Sequence, residues 1–236
     1  ASGRVRQRHL EQLAQALVAG EPPHVVTAAA ERAGWTPPQT LTAVLVPEQA
    51  LRAAADRLDP RTLQLAEAGA DLPDMSVLFV PDVPDTSRVT LARRLATHGA
   101  VVGPARPWPA ARESLERAER TRRIAGLPAP GTVLDTEDHL VPLVVSADSR
   151  ALADLRARVL APLAGERAAT AAKLIETLRS WLLHQGRREE VAAELFVHPQ
   201  TVRYRIARLR ELYGDRLRDP EWLLSLTIAL AVPEAR

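Results

Sequence analysis

The stretch REEVAAELFVHPQTVRYRIARLRELYG, residues 188–214, divides into two helical patterns joined by the tight turn FVH at 196–198. Ala192 and Ala193 are small enough for two helices to cross closely, and Leu195, Val197, Val202, Ile206 and Leu209 supply a shared core. At about 100° per residue from Val202, Ile206, Leu209 and Tyr213 fall within about 40° of it, so one face of the longer helix is buried. The opposite face carries Gln200, Tyr204, Ala207 and Arg208, with Thr201, Arg203 and Arg205 on its flanks. Two short helices crossing through such a turn predict a helix-turn-helix.

Charge singles out the same helix. The chain has 31 Lys and Arg against 29 Asp and Glu, a formal net charge of +2, and Lys173 is its single lysine. Arginines hardly titrate below about pH 12, so a small excess makes the chain alkaline overall and local placement carries the information. From Pro199 to Arg210 there are four arginines and no acid. A basic cluster confined to one helix is the footprint of an element that tracks phosphates. Pro199 suits a first helical turn, and Gln200 and Thr201 stand at the end that meets base edges in a recognition helix. Gln can pair with adenine, Arg with guanine, and a Thr methyl can touch a thymine methyl. Double-stranded DNA is therefore the expected partner. The competing reading is a protein-interaction or dimerisation module that does not bind DNA specifically, its arginines serving as a solvated face.

Outward from this segment, the 236 residues are 46% hydrophobic and 25% charged, a globular composition. No apolar run approaches the roughly 20 residues of a membrane-spanning helix. Zero cysteines exclude disulfide scaffolds, thiolate zinc sites and cysteine nucleophiles, and the N-terminal residues lack the apolar core of a signal peptide. A cytoplasmic protein is expected, with no membrane partner. RVRQRHLEQLAQALVAG sets Leu10, Leu13, Leu17 and Val18 at helical spacing, and HVVTAAAERAGW reads as a second helix. Then follow the strand LTAVLVP (41–47), the helix PEQALRAAADRL, the strands TLQLAEAG and MSVLFVPD, the helix SRVTLARRLATHG and the strand AVVG (100–103). The order βαββαβ closes an antiparallel sheet with both helices on one face, a ferredoxin-like α+β core. A further helix, 108–126, packs on or beside it. After Pro142 the pattern is wholly helical. Four segments are expected: N-terminal helices over 4–36, an α+β domain over 37–145, a connecting helix over 146–165 and an all-α helix-turn-helix domain over 166–236.

ETLRSWLLHQG followed by the stretch quoted first, through DPEWLLSLTIALAV, resembles the C-terminal helix-turn-helix domain of the PucR/CdaR family of bacterial transcription regulators. The run VHPQTVRYRIARL, the RELYG that ends the helix and the DP that opens a final apolar helix stand at the family's spacings. Upstream, the βαββαβ segment and PWPAARESLERAERTRRIA resemble the degenerate GGDEF-like domain that precedes this module. The recognition helix is also similar to the Fis-type helix-turn-helix. The resemblance implies DNA-facing roles for His198, Gln200, Thr201, Arg203, Tyr204, Arg205 and Arg208. Many relatives carry arginine where Pro199 stands and asparagine where Gln200 stands, which removes one basic contact here and bears on base preference. Actinobacterial members often share HPQTVRYR, regulators of fatty-acid synthesis among them, so a metabolic operon such as lipid synthesis is an expected target. The GGDEF-like domain would sense an unknown small-molecule effector or dimerise.

A GGDEF-related fold also raises nucleotide cyclisation, which needs ordered carboxylates after the first strand and on the hairpin between the second and third, holding two metal ions on a triphosphate. The hairpin reads EAGADLPDM (67–75), without adjacent glycines or a DEF or EEF run, and the first strand ends in Val46-Pro47-Glu48. Glu67, Asp71 and Asp74 are not ordered by any motif, so no catalytic residue, cofactor or enzymatic activity is expected. Asp135, Glu137, Asp138 and His139 crowd one loop, but neither HExxH nor an EF-hand is present, and the loop is read as solvated rather than as a metal site. The four tryptophans are read as packing anchors, and His184 as a charge partner at a helix end. A homodimer is expected, because one recognition helix contacts few base pairs. Two surfaces could pair: the N-terminal helix, slightly favoured, and the last helix with Trp222, Leu223, Leu226 and Leu230.

Overall fold

The computed structural model describes residues 2–68, 72 and 74–232. The chain divides into two compact units, the first ending at Leu140 and the second beginning at Val141. Among the described residues no helix is long and apolar enough to cross a membrane.

The first unit begins with α1 (Ser2–Ala19) and α2 (Pro23–Arg32). It continues through β1 (Thr40–Pro47), α3 (Leu51–Ala55), β2 (Leu63–Leu65), β3 (Met75–Pro81), α4 (Asp85–Leu95), β4 (Val101–Pro107), α5 (Ala111–Ala125) and β5 (Leu134–Asp135). The sheet order is β2-β3-β1-β4-β5. β1 pairs antiparallel with both β3 and β4, Thr42 opposite Val80 and Val44 opposite Val102, whereas β5 joins the edge parallel to β4. This is the βαββαβ core expected from the sequence, with one strand added.

Both faces of the sheet are covered, which is why LTAVLV runs apolar without alternation. On one face Val44, Val46, Leu78, Val80 and Val102 pack against Ala54 of α3 and Leu91 and Leu95 of α4. On the other, Leu41, Ala43, Leu45, Val77 and Phe79 meet Leu13 and Leu17 of α1, Val26 of α2 and Leu115 of α5. The α5 contact is close because Gly103 has no side chain: a Cβ there would lie 2.5 Å from Ser114 Oγ. That hydroxyl accepts from Ala43 N–H (2.8 Å) and donates to Pro104 O (2.6 Å), bolting the helix to two strands.

Two expectations change. The N-terminal helices are not a segment apart, because Leu13 and Leu17 are 0% and 1% exposed within the first unit. Their stripe is consumed by the sheet and is no pairing surface, since a helix with one apolar face buries it on whatever apolar face is available. The crowded loop is a short 3₁₀ turn over Thr136–His139. Arg88 grips the Asp135 carboxylate there at 2.5 and 3.1 Å, and the same carboxylate accepts from Glu137 N–H at 3.0 Å. Of the hairpin acids, Glu67 and Asp74 are exposed; Asp71 lies outside the described residues. Trp35 and Trp108 pack edge to face, centroids 5.8 Å apart, and the Trp35 indole donates to Arg61 O.

A short helix α6 (Leu140–Val145) leads into the second unit, which is α7 (Ser149–Leu160), α8 (Ala168–Leu183), α9 (Arg188–Glu194), α10 (Pro199–Tyr213) and α11 (Pro220–Leu230). Val159, Leu163, Leu178, Val191, Val202, Leu209 and Leu226 form its core. α7, expected as a connector, is part of that core. Arg156 on α7 donates to the terminal carbonyls of Ala229 (2.8 Å) and Val232 (2.6 Å), satisfying groups that a helix end leaves unpaired. Tyr213 Oη of α10 donates to Val159 O at 2.8 Å.

Candidate nucleic-acid interface

α9 ends at Glu194 with Leu195 as its C-cap, and Phe196 takes the left-handed conformation at φ +52. Val197 N–H returns to Ala192 O (3.0 Å) and Phe196 N–H to Ala193 O (3.3 Å), the paired bonds of a Schellman turn. His198 then caps α10: its Nδ1 accepts from Gln200 N–H at 3.1 Å, and Pro199 occupies the first turn, where no N–H is needed. The ring therefore carries its hydrogen on Nε2 when neutral. His198 was expected to face DNA; its nearer duty is to start the recognition helix.

α9 is held to α8 by a polar cluster. His184, at the end of α8, places Nδ1 3.0 Å from Glu190 Oε2 and Nε2 3.0 Å from Glu194 Oε2. Ser180 Oγ donates to the same Glu194 oxygen. That hydroxyl, with His184 second among the favourable contacts, holds the Glu194 carboxyl below its usual range. The charge partner foreseen for His184 is thus a pair of carboxylates and not its own helix end.

The recognition helix sorts its candidates. Val202, Ile206, Leu209 and Tyr213 are buried, as their spacing predicts, and Gln200, Arg203 and Tyr204 are exposed, Tyr204 at 74%. Thr201 is half-buried beside them. Arg205 and Arg208 depart from expectation. Arg205 is half-buried, and its Nη1 donates to Thr177 Oγ1 of α8 at 3.1 Å, so it fastens two helices. Arg208 is ion-paired to Glu166 (2.5 Å) and Glu211 (2.8 Å), carboxylates that keep its guanidinium above the ordinary range, Glu211 foremost. The resemblance implies DNA-facing roles for both, and neither it nor a helical wheel, which counts only the helix's own residues, registers the partners that α8 and the segment before it supply. Sequence reasoning missed Arg188 and Arg210, which border a small concavity together with Arg203. The seven-residue spacing of Arg203 and Arg210 was the available signal. Among the described residues no group of three or more His, Asp and Glu is arranged to hold a metal ion.

Residues 174–232, from α8 to the end of α11, match the family model of the PucR C-terminal helix-turn-helix domain. This chain carries a PucR-type helix-turn-helix domain. An uncharacterized protein of Thermomonospora curvata is 39% identical to it over 94 residues, covering 40% of this chain and 50% of that one. An uncharacterized protein of Mycobacterium tuberculosis is 38% identical over 136 residues, 56% of this chain and 31% of the other. The chain thus spans half or less of the length of these curated relatives. Among solved structures, the crystal structure of a regulator of polyketide synthase expression from Bifidobacterium adolescentis aligns over 94% of this chain and 91% of its own, with 22% identity and a TM-score of 0.45. In the PucR-type domain α9 and α10 are the crossing pair and α8 and α11 complete its core.

Proposed function

We propose that the chain is a transcription regulator that binds duplex DNA as a homodimer, α10 lying in the major groove. The observation that carries this is the exposed outer face of the first turns of α10. Among the described residues Gln200, Arg203 and Tyr204 stand free of acidic partners there, on a PucR-type domain. Gln200 is suited to an adenine edge and Tyr204 and Thr201 to thymine methyls or the sugar-phosphate edge. The βαββαβ unit supports the GGDEF-like reading, and its role is sensing a small-molecule effector or pairing, without catalysis. Lipid-synthesis genes are the proposed target class, and the cytoplasm the proposed location.

For pairing, the last helix is the better surface, but through other residues than expected: Leu226 and Leu230 are buried in the helical unit and Trp222 and Leu223 are half-buried. Leu224 and Ile228 of α11 are 62% and 40% exposed, whereas the leucines of α1 are buried. Two-fold pairing would set the recognition helices about 34 Å apart, or a multiple of it. Sedimentation of the wild type beside Leu224→Asp with Ile228→Asp tests this, and a wild type that stays monomeric with and without DNA refutes the dimer.

A genome-wide map of bound DNA, followed by titration of the recovered site across a salt series, tests the main reading. Specific binding whose log K falls steeply with log[salt] is expected. Gln200→Ala should relax preference at one base position by about 1–3 kcal/mol. No affinity for any duplex at low salt would leave the protein-interaction module instead.

A further inference from the structure

Resting on the DNA-binding reading, the geometry points to a one-sided phosphate clamp: the DNA backbone runs along Arg188, Arg203 and Arg210, with the Trp181 indole N–H as a fourth donor. The opposite flank of the recognition helix holds its cations for the protein itself.

The four side chains come from three helices and line one concavity of about 80 Å³, with no carboxylate in its lining. Arg203 and Arg210 are seven residues apart, so at about 100° per residue they lie within about 20° of each other, and two helical turns separate them by about 10 Å. All three arginines are exposed. None makes an ion pair or side-chain hydrogen bond among the described residues. The sequence explains why. The residues three and four positions to either side of Arg203 are Pro199, Gln200, Ile206 and Ala207. Those around Arg210 are Ile206, Ala207, Tyr213 and Gly214. Three and four positions beyond Arg188 stand Val191 and Ala192. None is an acid, so no same-helix partner competes for these guanidinia. Asp215 borders a neighbouring hollow that Arg210 also lines, and Arg218 stands there with it.

Trp181 adds a neutral donor. Its Nε1 makes no hydrogen bond among the described residues, and Gly186 keeps it uncovered, since a Cβ at Gly186 would sit 3.2 Å from that nitrogen. Three exposed cations around one indole N–H, on a concave surface without acid in its lining, form an arrangement suited to successive phosphates of a single strand.

Across the helix the pattern inverts. Arg205 is committed to Thr177 and Arg208 to Glu166 and Glu211. Arg208, neutralised by two carboxylates, releases few counterions when a phosphate approaches, and Arg205, still charged, is held against α8 by its bond to Thr177, so the salt dependence of binding should come from one flank only.

The test uses the full chain and a fluorescent 30-base-pair duplex of mixed sequence, titrated by anisotropy from low to moderate salt. Arg188→Ala, Arg203→Ala and Arg210→Ala should each weaken binding about eightfold at 0.1 M salt and flatten the log–log slope by about 0.9. Arg208→Ala and Arg205→Gln, the latter keeping a donor for Thr177, should leave the slope within about 0.3 of the wild type. Trp181→Phe should weaken binding with the slope unchanged, because it removes a donor and no charge. Thermal melts verify that each variant is folded. Slope losses at Arg205 or Arg208 equal to those at Arg203 would overturn the one-sided clamp while leaving DNA binding intact. A wild type with no duplex affinity at low salt would overturn both.

Discussion

Arg208 and Glu166 meet through one carboxylate oxygen: Nε of the arginine donates to Glu166 Oε1 at 3.0 Å, and Nη2 donates to the same atom at 2.5 Å. Glu166 lies just before α8 and its side chain is 14% exposed, against 41% for Arg208. An arginine on the outer half of the recognition helix is thereby tied to the segment that leads into the domain.

Removing that tie should release a cation toward DNA. Glu166→Gln is expected to raise affinity for mixed-sequence duplex about two- to fivefold at low salt, the range of an ion pair with one exposed partner, and to steepen the salt slope. Anisotropy titration reads both. Unchanged affinity would mean that Arg208 stays on Glu211 alone and never reaches the groove.

The turn residue Phe196 offers a stability test. It is 95% exposed and holds φ +52, so its ring packs on almost nothing while its Cβ disfavours the backbone it must adopt. Asparagine tolerates this conformation far better. Phe196→Asn should therefore stabilise the helical unit by about 0.5–1 kcal/mol, seen as a higher urea midpoint with an unchanged m-value. A loss of stability would show that the aromatic ring packs in solution.

Tyr213 sets an alkaline limit. Burial pushes its phenol up to about 12, against a small opposing effect of Arg216, and Oη donates to Val159 O. The folded value is raised above the unfolded one of about 10, so the stabilisation is complete below pH 10 and is lost as pH climbs toward 12. The fall should be about 2–3 kcal/mol over that window. Tyr213→Phe should start about 1 kcal/mol lower and lack this descent. Urea denaturation by circular dichroism between pH 9 and 12 compares the two.

In the first unit, Leu13→Ala and Leu17→Ala should each cost about 2–5 kcal/mol, because both leucines are fully packed against the sheet and α5. The sedimentation coefficient at a temperature where the variants remain folded should not change. A shift from dimer to monomer with stability intact would return α1 to the pairing surface.

Much of this architecture is legible in local pattern. Val202, Ile206, Leu209 and Tyr213 announce the buried face of α10 because helical periodicity is carried by neighbours in the chain. The runs LTAVLVP and MSVLFVPD announce β1 and β3 for the same reason, and the exposure of Gln200, Arg203 and Tyr204 follows from the wheel that buries Val202. Strand ends were less legible: β4 extends to Pro107, four residues past Gly103, because pairing with β1 continues across a register shift that no local pattern marks.

The tertiary structure alone decided where the long side chains go. Arg205 finds Thr177 across 28 residues and Arg208 finds Glu166 across 42, while Arg203 and Arg210, of the same type on the same helix, find none among the described residues. Leu13 and Leu17 needed the open face of a sheet that begins more than twenty residues later. Periodicity is a property of consecutive backbone units and survives in the order of residues. The partner of a guanidinium on a flexible three-carbon stem depends on which other element the fold brings within reach, and that is settled only when both helices are packed.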